Sequence, residues 1–598
     1  MKGIRVLSAI LLALLQTSLA VSQGTPQLEF RGVKFTSAAG ETVDAEMGSL
    51  QVPESRTESK SSTIRLPVIR FKSTAAKPGA PIVYLAGGPG ASGLASAKEE
   101  IFPLLMELRR RADVIVFDQR GTGAAEPSLV IPGKVSLPLE ASLEDEPTRV
   151  ALIGQTQAAV SALKNKGINL SAYNTAENAD DVEDLRKSLN AEKVTIWGHS
   201  YGTHLGLAFM KRHPTSVDKA VLGSINGLDQ RWRYPSNLDE LIDRVDEYIV
   251  KTPKFRRQLP SMREAVKTVF ANLDKKPFVF SSQGRTIKIG KLEIQSLVAL
   301  RSGDLEFVKM LPMLFGQMQD GDFSFVAPMV AAALKQRDWG TAMAFTMHIA
   351  SGVGAERAAD IAKQEQTALF GRSINYPFED KEFLAAWNMT DLGDRFREPV
   401  KSDIPALFLS ATLDGRTSLS DAALVLQGFR NARQIVVEGG SHNFYHLTPA
   451  VLTAIEDFLD GKKVPERIVV PFDLRGPGER KLFVELKKII AEKGIEAAVN
   501  RAREWSSPKS DEYLTSYIFG NLGITLMKDD NKPKEALEIF KVGVEIFPDN
   551  LFLNERAGDA YQANGMKTEA AAQYEKCLKL NPLNRGPAVK LATLKKEH

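Results

Sequence analysis

Short apolar runs alternate with amphipathic stretches along the first third of the chain. Strands are predicted over Thr63–Lys72, Pro81–Ala86, Asp113–Asp118, Lys193–Trp197 and Lys219–Gly223, and helices over Leu94–Arg111, Ala176–Leu189 and Tyr201–His213. Apolar strands separated by helices are the pattern of an α/β protein with a mostly parallel sheet covered on both faces. From residue 228 to about 400 the periodicity turns helical, with one strand pair at Phe278–Ser281 and Arg285–Ile289. Strands return at Ile404–Ser410 and Gln434–Glu438, followed by a helix over Pro449–Leu459. The simplest account is one α/β sheet interrupted by a mainly helical cap insertion.

The last 120 residues repeat. Leu522-Gly523, Leu526, Ala536, Phe540 and Pro548 are echoed by Ala557-Gly558, Tyr561, Ala570, Tyr574 and Pro582. This spacing matches the tetratricopeptide pattern in the second copy, with one extra turn residue in the first. Helical stretches Leu482–Lys493 and Ile495–Trp505 supply a degenerate third unit, and Leu474 to Gly478 read as the linker. The predicted partition is an export signal at 1–22, a sheet domain at 23–227 resumed at 401–475, a helical cap at 228–400, and an all-α repeat domain at 479–598. Cys577 falls at a small core position of the second repeat, so a packed thiol is expected.

Composition narrows the classes. The 598 residues carry a net charge of +4 and one cysteine, so an intrachain disulfide is excluded. Arg109-Arg110-Arg111 is the one compact basic triplet and reads as a solvated helix end, not a nucleic-acid site. Lys2 and Arg5, the apolar run Val6–Leu15 and Ser18-Leu19-Ala20 have the layout of an export signal, cut after Ala20 or Ser22. No stretch approaches the roughly 20 apolar residues of a membrane span, so stable membrane insertion is not expected. The expected location is periplasmic or secreted.

Two glycine motifs carry the chemistry. Gly88, Gly90 and Gly93 spell G-x-G-x-x-G after a predicted strand, which raises a dinucleotide-binding turn, with Asp118 closing the next strand. Gly198-His199-Ser200-Tyr201-Gly202 spells G-x-S-x-G between a strand and a helix, the setting of a nucleophile elbow. A serine needs a base, and the base an orienting acid. In chain order these are Ser200, Asp414 just past the strand at Ile404–Ser410, and His442 just past Gln434–Glu438. Asp403 precedes its strand and Asp421 lies in the next helix, so neither suits the role. His446 stands four residues after His442 without a third ligand, and reads as a helix-start or wall residue; neither a metal nor a cofactor is expected. Acyl transfer also needs N–H donors for the oxyanion. Gly88, with Gly87 beside it, and Tyr201 are the candidates, which reassigns the glycine loop to that role and leaves the dinucleotide reading aside. Pro89 has no N–H to offer a pyrophosphate.

Together "GGPG" at 87–90, "DQRGTG" at 118–123, "GHSYGT" at 198–203, the acid turn at Asp414 and "GGSH" at 439–442 resemble the α/β-hydrolases of the prolyl iminopeptidase and tripeptidyl aminopeptidase type. The resemblance implies a serine peptidase that works through an acyl-enzyme and removes residues from peptide N-termini. It also implies that Asp118 to Gly121 form a structural turn. Two departures stand out. Ala86 replaces the usual histidine, and "AFTMHIASG" has no acid where relatives anchor the substrate amine; Glu356, Glu379, Asp380 and Glu382 are the substitute candidates. An esterase or amidase with the same residues is the alternative, and a repeat-domain binding protein above a vestigial hydrolase is a third. The expected partner is a peptide or small acyl substrate, and the tail offers a surface for a protein partner or for self-association.

Overall fold

The computed structural model describes residues 28–596 except Glu100 and Gln283; the predicted export signal therefore lies outside the described residues. The strands are β1 (Arg31–Thr36), β2 (Thr42–Pro53), β3 (Thr63–Phe71), β4 (Ile82–Leu85), β5 (Val114–Phe117), β6 (Val194–His199), β7 (Val217–Gly223), β8 (Phe278–Ser282), β9 (Arg285–Ile289), β10 (Ala406–Ala411), β11 (Ala432–Glu438) and β12 (Arg467–Val469). Ten of them form one sheet in the order β1-β2-β3-β5-β4-β6-β7-β10-β11-β12, and β8 pairs with β9 alone. Pairing is parallel from β5 through β4, β6, β7, β10 and β11 to β12. The other edge, β1-β2-β3 onto β5, is antiparallel.

The apolar runs explain themselves once the two faces are separated. Successive strand side chains point to opposite faces. Val83, Leu85, Ile115, Phe117 and Ile196 join one core, under the helices Thr175–Ser188 and Tyr201–Arg212. Ile82, Tyr84, Val114, Val116 and Trp197 join the other, under Phe102–Leu108 and Pro449–Leu459. Every position of such a strand is buried, so no polar alternation survives.

The structure departs from the sequence expectations in four places. The expected helix Leu94–Arg111 is two helices, Gly93–Ser96 and Phe102–Leu108, because Pro103 fits only the first turn of a new helix. Strands β1 and β2 have no apolar run to announce them: β2 is half exposed along its length and is held by its ladder to β3. Strand β12 has three residues, too few for a pattern. Finally, the helical body between β7 and β10 takes in a second segment. The helix Glu146–Lys164 and the chain around Leu129–Tyr173 share a core with Trp339, Phe345, Phe383 and Trp387.

Residues 479–596 form seven helices, from Glu479–Lys493 to Arg585–Lys596. The repeated glycines are contact points: a Cβ on Gly523 would strike the Phe540 ring, and one on Gly558 the Tyr574 ring. Cys577 is buried here, and burial pushes its thiol up to about 11. The last helices return to the sheet domain. Asn581 Nδ2 donates to the His446 carbonyl at 2.8 Å, and Leu583 packs against the Phe102 core.

Candidate active site

Four loops meet at the carboxyl ends of parallel strands, where an α/β sheet presents its ligand sites. Gly87 and Gly88 follow β4, Ser200 follows β6, Asp414 follows β10 and His442 follows β11. Ser200 holds a positive φ of 54°, uncommon for a non-glycine residue, between the strand and the helix Tyr201–Arg212. The flanking glycines are sterically required. A Cβ on Gly198 would lie 2.6 Å from the Gly202 carbonyl oxygen, and one on Gly202 would enter the Leu85 carbonyl. A Cβ on Gly87 would lie 3.2 Å from the Ser200 Cβ, so the glycine loop is pressed onto the elbow.

Ser200, His442, Gly87, Gly88 and Arg416 line one cleft of about 590 Å³. His442 Nδ1 lies 2.8 Å from Asp414 Oδ2, with both side chains buried. The carboxylate also accepts from Thr417 Oγ1 at 2.6 Å and from the backbone N–H groups of Arg416 and Thr417 at 2.9 and 3.0 Å. Burial alone pushes this carboxyl up, but His442 and Thr417 more than offset it and hold it at about 2. An ionised carboxylate only accepts, so Nδ1 carries the imidazole proton and Nε2 is left basic. His199, one residue before Ser200, has its ring 5.1 Å from that of His442 and tilted to it; burial and His442 pull its pKa down to about 3, so it stays neutral. Tyr201 opens the helix after Ser200, and its N–H is among the first-turn donors that have no intrahelical acceptor.

The G-x-G-x-x-G loop is otherwise engaged. Gly93 begins a helix of four residues, and Asp118 holds its own turn, accepting from Ser92 Oγ at 2.6 Å, Leu94 N at 3.0 Å and Ala124 N at 2.8 Å. Gln119 and Arg120 also bond inward, to Ala86 O at 3.0 Å and to Asp181 at 2.7 Å. His446 lies in a loop before the helix Pro449–Leu459 and lines the cleft wall. Among the described residues no three His, Cys, Asp or Glu side chains group as a metal site, and no helix is long and apolar enough to cross a membrane.

The candidate amine anchors lie elsewhere. Glu379 pairs with Arg372 at 2.9 Å and is buried enough for its carboxyl to rise to about 7. Glu382 and Asp380 both pair with Arg149, at 2.6 and 2.7 Å, and Glu356 is exposed at the start of the helix Ala355–Gln364. None of the four lines the cleft or the cavity that continues from it under the helical body. That cavity, of about 340 Å³, shares Gly88 and Arg416 with the cleft and is also lined by Arg231, Arg233, Arg337 and His348. These arginines escaped the sequence reading because they sit in irregular segments whose spacing signals nothing. Arg416, two residues past Asp414, was the one with a motif beside it.

Residues 80–279 match the family profile described as alpha/beta hydrolase fold, and 379–470 match that of the TAP-like protein family. The chain has an α/β-hydrolase fold. It is similar to "Serine protease Hip1" of Mycobacterium tuberculosis, with 30% identity over 181 residues, covering 29% of this chain and 35% of that protein. The tripeptidyl aminopeptidase of Streptomyces coelicolor is 27% identical over 209 residues, 32% of this chain and 37% of the relative. A proline iminopeptidase of Xylella fastidiosa is 26% identical over 211 residues, 32% and 51% of the two chains. The chain thus spans from about a third to half of the length of these curated relatives, and the similarity is to peptidase-like hydrolases.

Proposed function

We propose that the protein is an exported serine hydrolase that cleaves peptides through an acyl-enzyme. Ser200 is the nucleophile, His442 the base, Asp414 the orienting acid, and the N–H groups of Gly88 and Tyr201 the oxyanion donors, with Gly87 letting the loop approach. The observation that carries this reading is the 2.8 Å contact of His442 Nδ1 with buried Asp414 in the cleft that Ser200 lines. His442 Nε2 takes the Ser200 hydroxyl proton as Oγ bonds to the substrate carbonyl carbon. It returns that proton to the departing amine as the C–N bond breaks. A water deprotonated by the same nitrogen then attacks the ester, and the acid product leaves with Ser200 restored. The peptidase relatives support the peptide substrate, and the N-terminal residue pattern supports export. The repeated glycine–aromatic contacts support reading residues 479–598 as tetratricopeptide-like helices docked to the hydrolase.

A panel of aminoacyl and tripeptidyl anilides beside short acyl esters tests the reading. Hydrolysis of the anilides by the purified full chain, lost in Ser200→Ala, is the expected result. Ester hydrolysis alone would make the protein an esterase. Turnover unchanged in Ser200→Ala would end the serine-hydrolase proposal.

A further inference from the structure

The cavity beyond Gly88 has an unbalanced charge. Arg231, Arg233, Arg337 and Arg416 line it, and no Asp or Glu does. Glu99 is the one carboxylate lining the outer cleft, and it is exposed at the rim. Arg231 is buried, and its guanidinium meets only neutral partners, Asn226 Oδ1 at 3.0 Å and His348 Nδ1 at 3.4 Å. Its Nε, the Arg233 Nε, the His348 Nε2 and the Ser296 Oγ are all buried with no hydrogen-bond partner. Burial, with the neighbouring guanidiniums adding to it, lowers the pKa of Arg231 to about 10 and that of Arg233 to about 9. Buried cations are ordinarily paired, so a cluster of unpartnered donors lining a cavity suits an anionic group. Phe345, Phe378 and Tyr376 supply an apolar wall beside it.

We propose that this cavity receives a carboxylate of the substrate, so that the enzyme acts on peptides bearing an acidic side chain or a free C-terminal carboxylate. The assignment rests on the serine-hydrolase reading for the bond that is cut, but the binding itself requires no chemistry. Guanidiniums suit a carboxylate because their fork matches its two oxygens. A substrate ammonium, by contrast, would meet four like charges there.

Calorimetric titration of the full-length Ser200→Ala chain tests this with two matched pairs: tri-alanine against tri-alanine amide, and Ala-Glu-Ala amide against Ala-Gln-Ala amide. The acid of at least one pair should bind roughly tenfold or more tighter than its neutral partner, the gain of one charge-assisted hydrogen bond. The pair that responds identifies the source of the carboxylate. Adding Arg233→Gln, or Arg337→Gln where the first variant loses its circular dichroism, should bring the ratio towards one. Equal affinities in both pairs, or a preference that both substitutions leave unaltered, would overturn the proposal. If fluorophosphonate modifies Ser200 in the wild-type protein while both pairs bind equally, the cavity assignment falls and the hydrolase stands. Preferential acid binding without any modification of Ser200 supports the cavity and removes the hydrolase.

Discussion

Two clusters of arginine, each built around one buried guanidinium, Arg120 in the first and Arg231 in the second, handle charge in opposite ways. Behind β5, Arg120 is fully buried and is gripped through both ends of its fork by Asp181, at 2.7 Å on each oxygen, with the carbonyls of Glu54 and Ala172 at 2.6 Å. Arg56 closes the same cluster on Glu177, Asp181 and Asp184 at 2.8, 2.8 and 2.6 Å. In the cavity before the helical body, no Asp or Glu stands among the residues that line it beside the four arginines. The first cluster ties β5 to the helix Thr175–Ser188 and completes its own hydrogen bonding. The second leaves its donors open, which costs stability and is tolerated where a ligand completes the set. Compensated charge reads as architecture, and uncompensated charge reads as a site.

Substitutions on the two sides should therefore separate activity from stability. The largest effect is expected at Asp414, the buried carboxylate of the functional side, which is tied to His442 and not to the Arg416 guanidinium. Asp414→Asn should lower kcat by about 10⁴-fold, because an amide no longer fixes the imidazole proton on Nδ1. Steady-state kinetics on the best anilide checks it, and a nearly silent variant would move the acid to another residue. Next comes Arg120→Met, which removes the bidentate partner of buried Asp181 and leaves it Arg56 alone, and should cost up to about 3 kcal/mol in denaturant unfolding. The matched change Arg233→Met should cost nothing and give a gain of roughly 0.5–1 kcal/mol, since it removes a half-buried charge whose Nε has no partner and keeps the stem packing. A loss at Arg233 as large as that at Arg120 would erase the contrast.

Much of this was legible in the sequence where local rules dominate. The elbow around Ser200 carries its own steric logic in Gly198 and Gly202, and the apolar strands β4, β5 and β6 advertise burial on both faces. Asp414 and His442 could be singled out as candidates because strand ends are legible and the chain order is constrained. The antiparallel edge was not, since only three of the twelve β2 residues are buried and the strand is defined by its partner. The cavity was harder still. Arg231, Arg233, Arg337 and Arg416 come from three separate segments, and what distinguishes them is the absence of a neighbour, which no spacing records. The substitute amine anchors Glu379, Asp380 and Glu382 show the mirror case: they are acids that lie outside "AFTMHIASG", and Arg372 and Arg149 pair with them.

On the proposed function, the residue held at the elbow is a nucleophile made reactive by His442. Intact mass of the full-length protein after exposure to a fluorophosphonate, followed by peptide mapping, tests it most directly. A single adduct on Ser200 is expected, absent from Ser200→Ala and strongly slowed in Asp414→Asn. An unmodified protein, or an adduct that persists in Ser200→Ala, would contradict it.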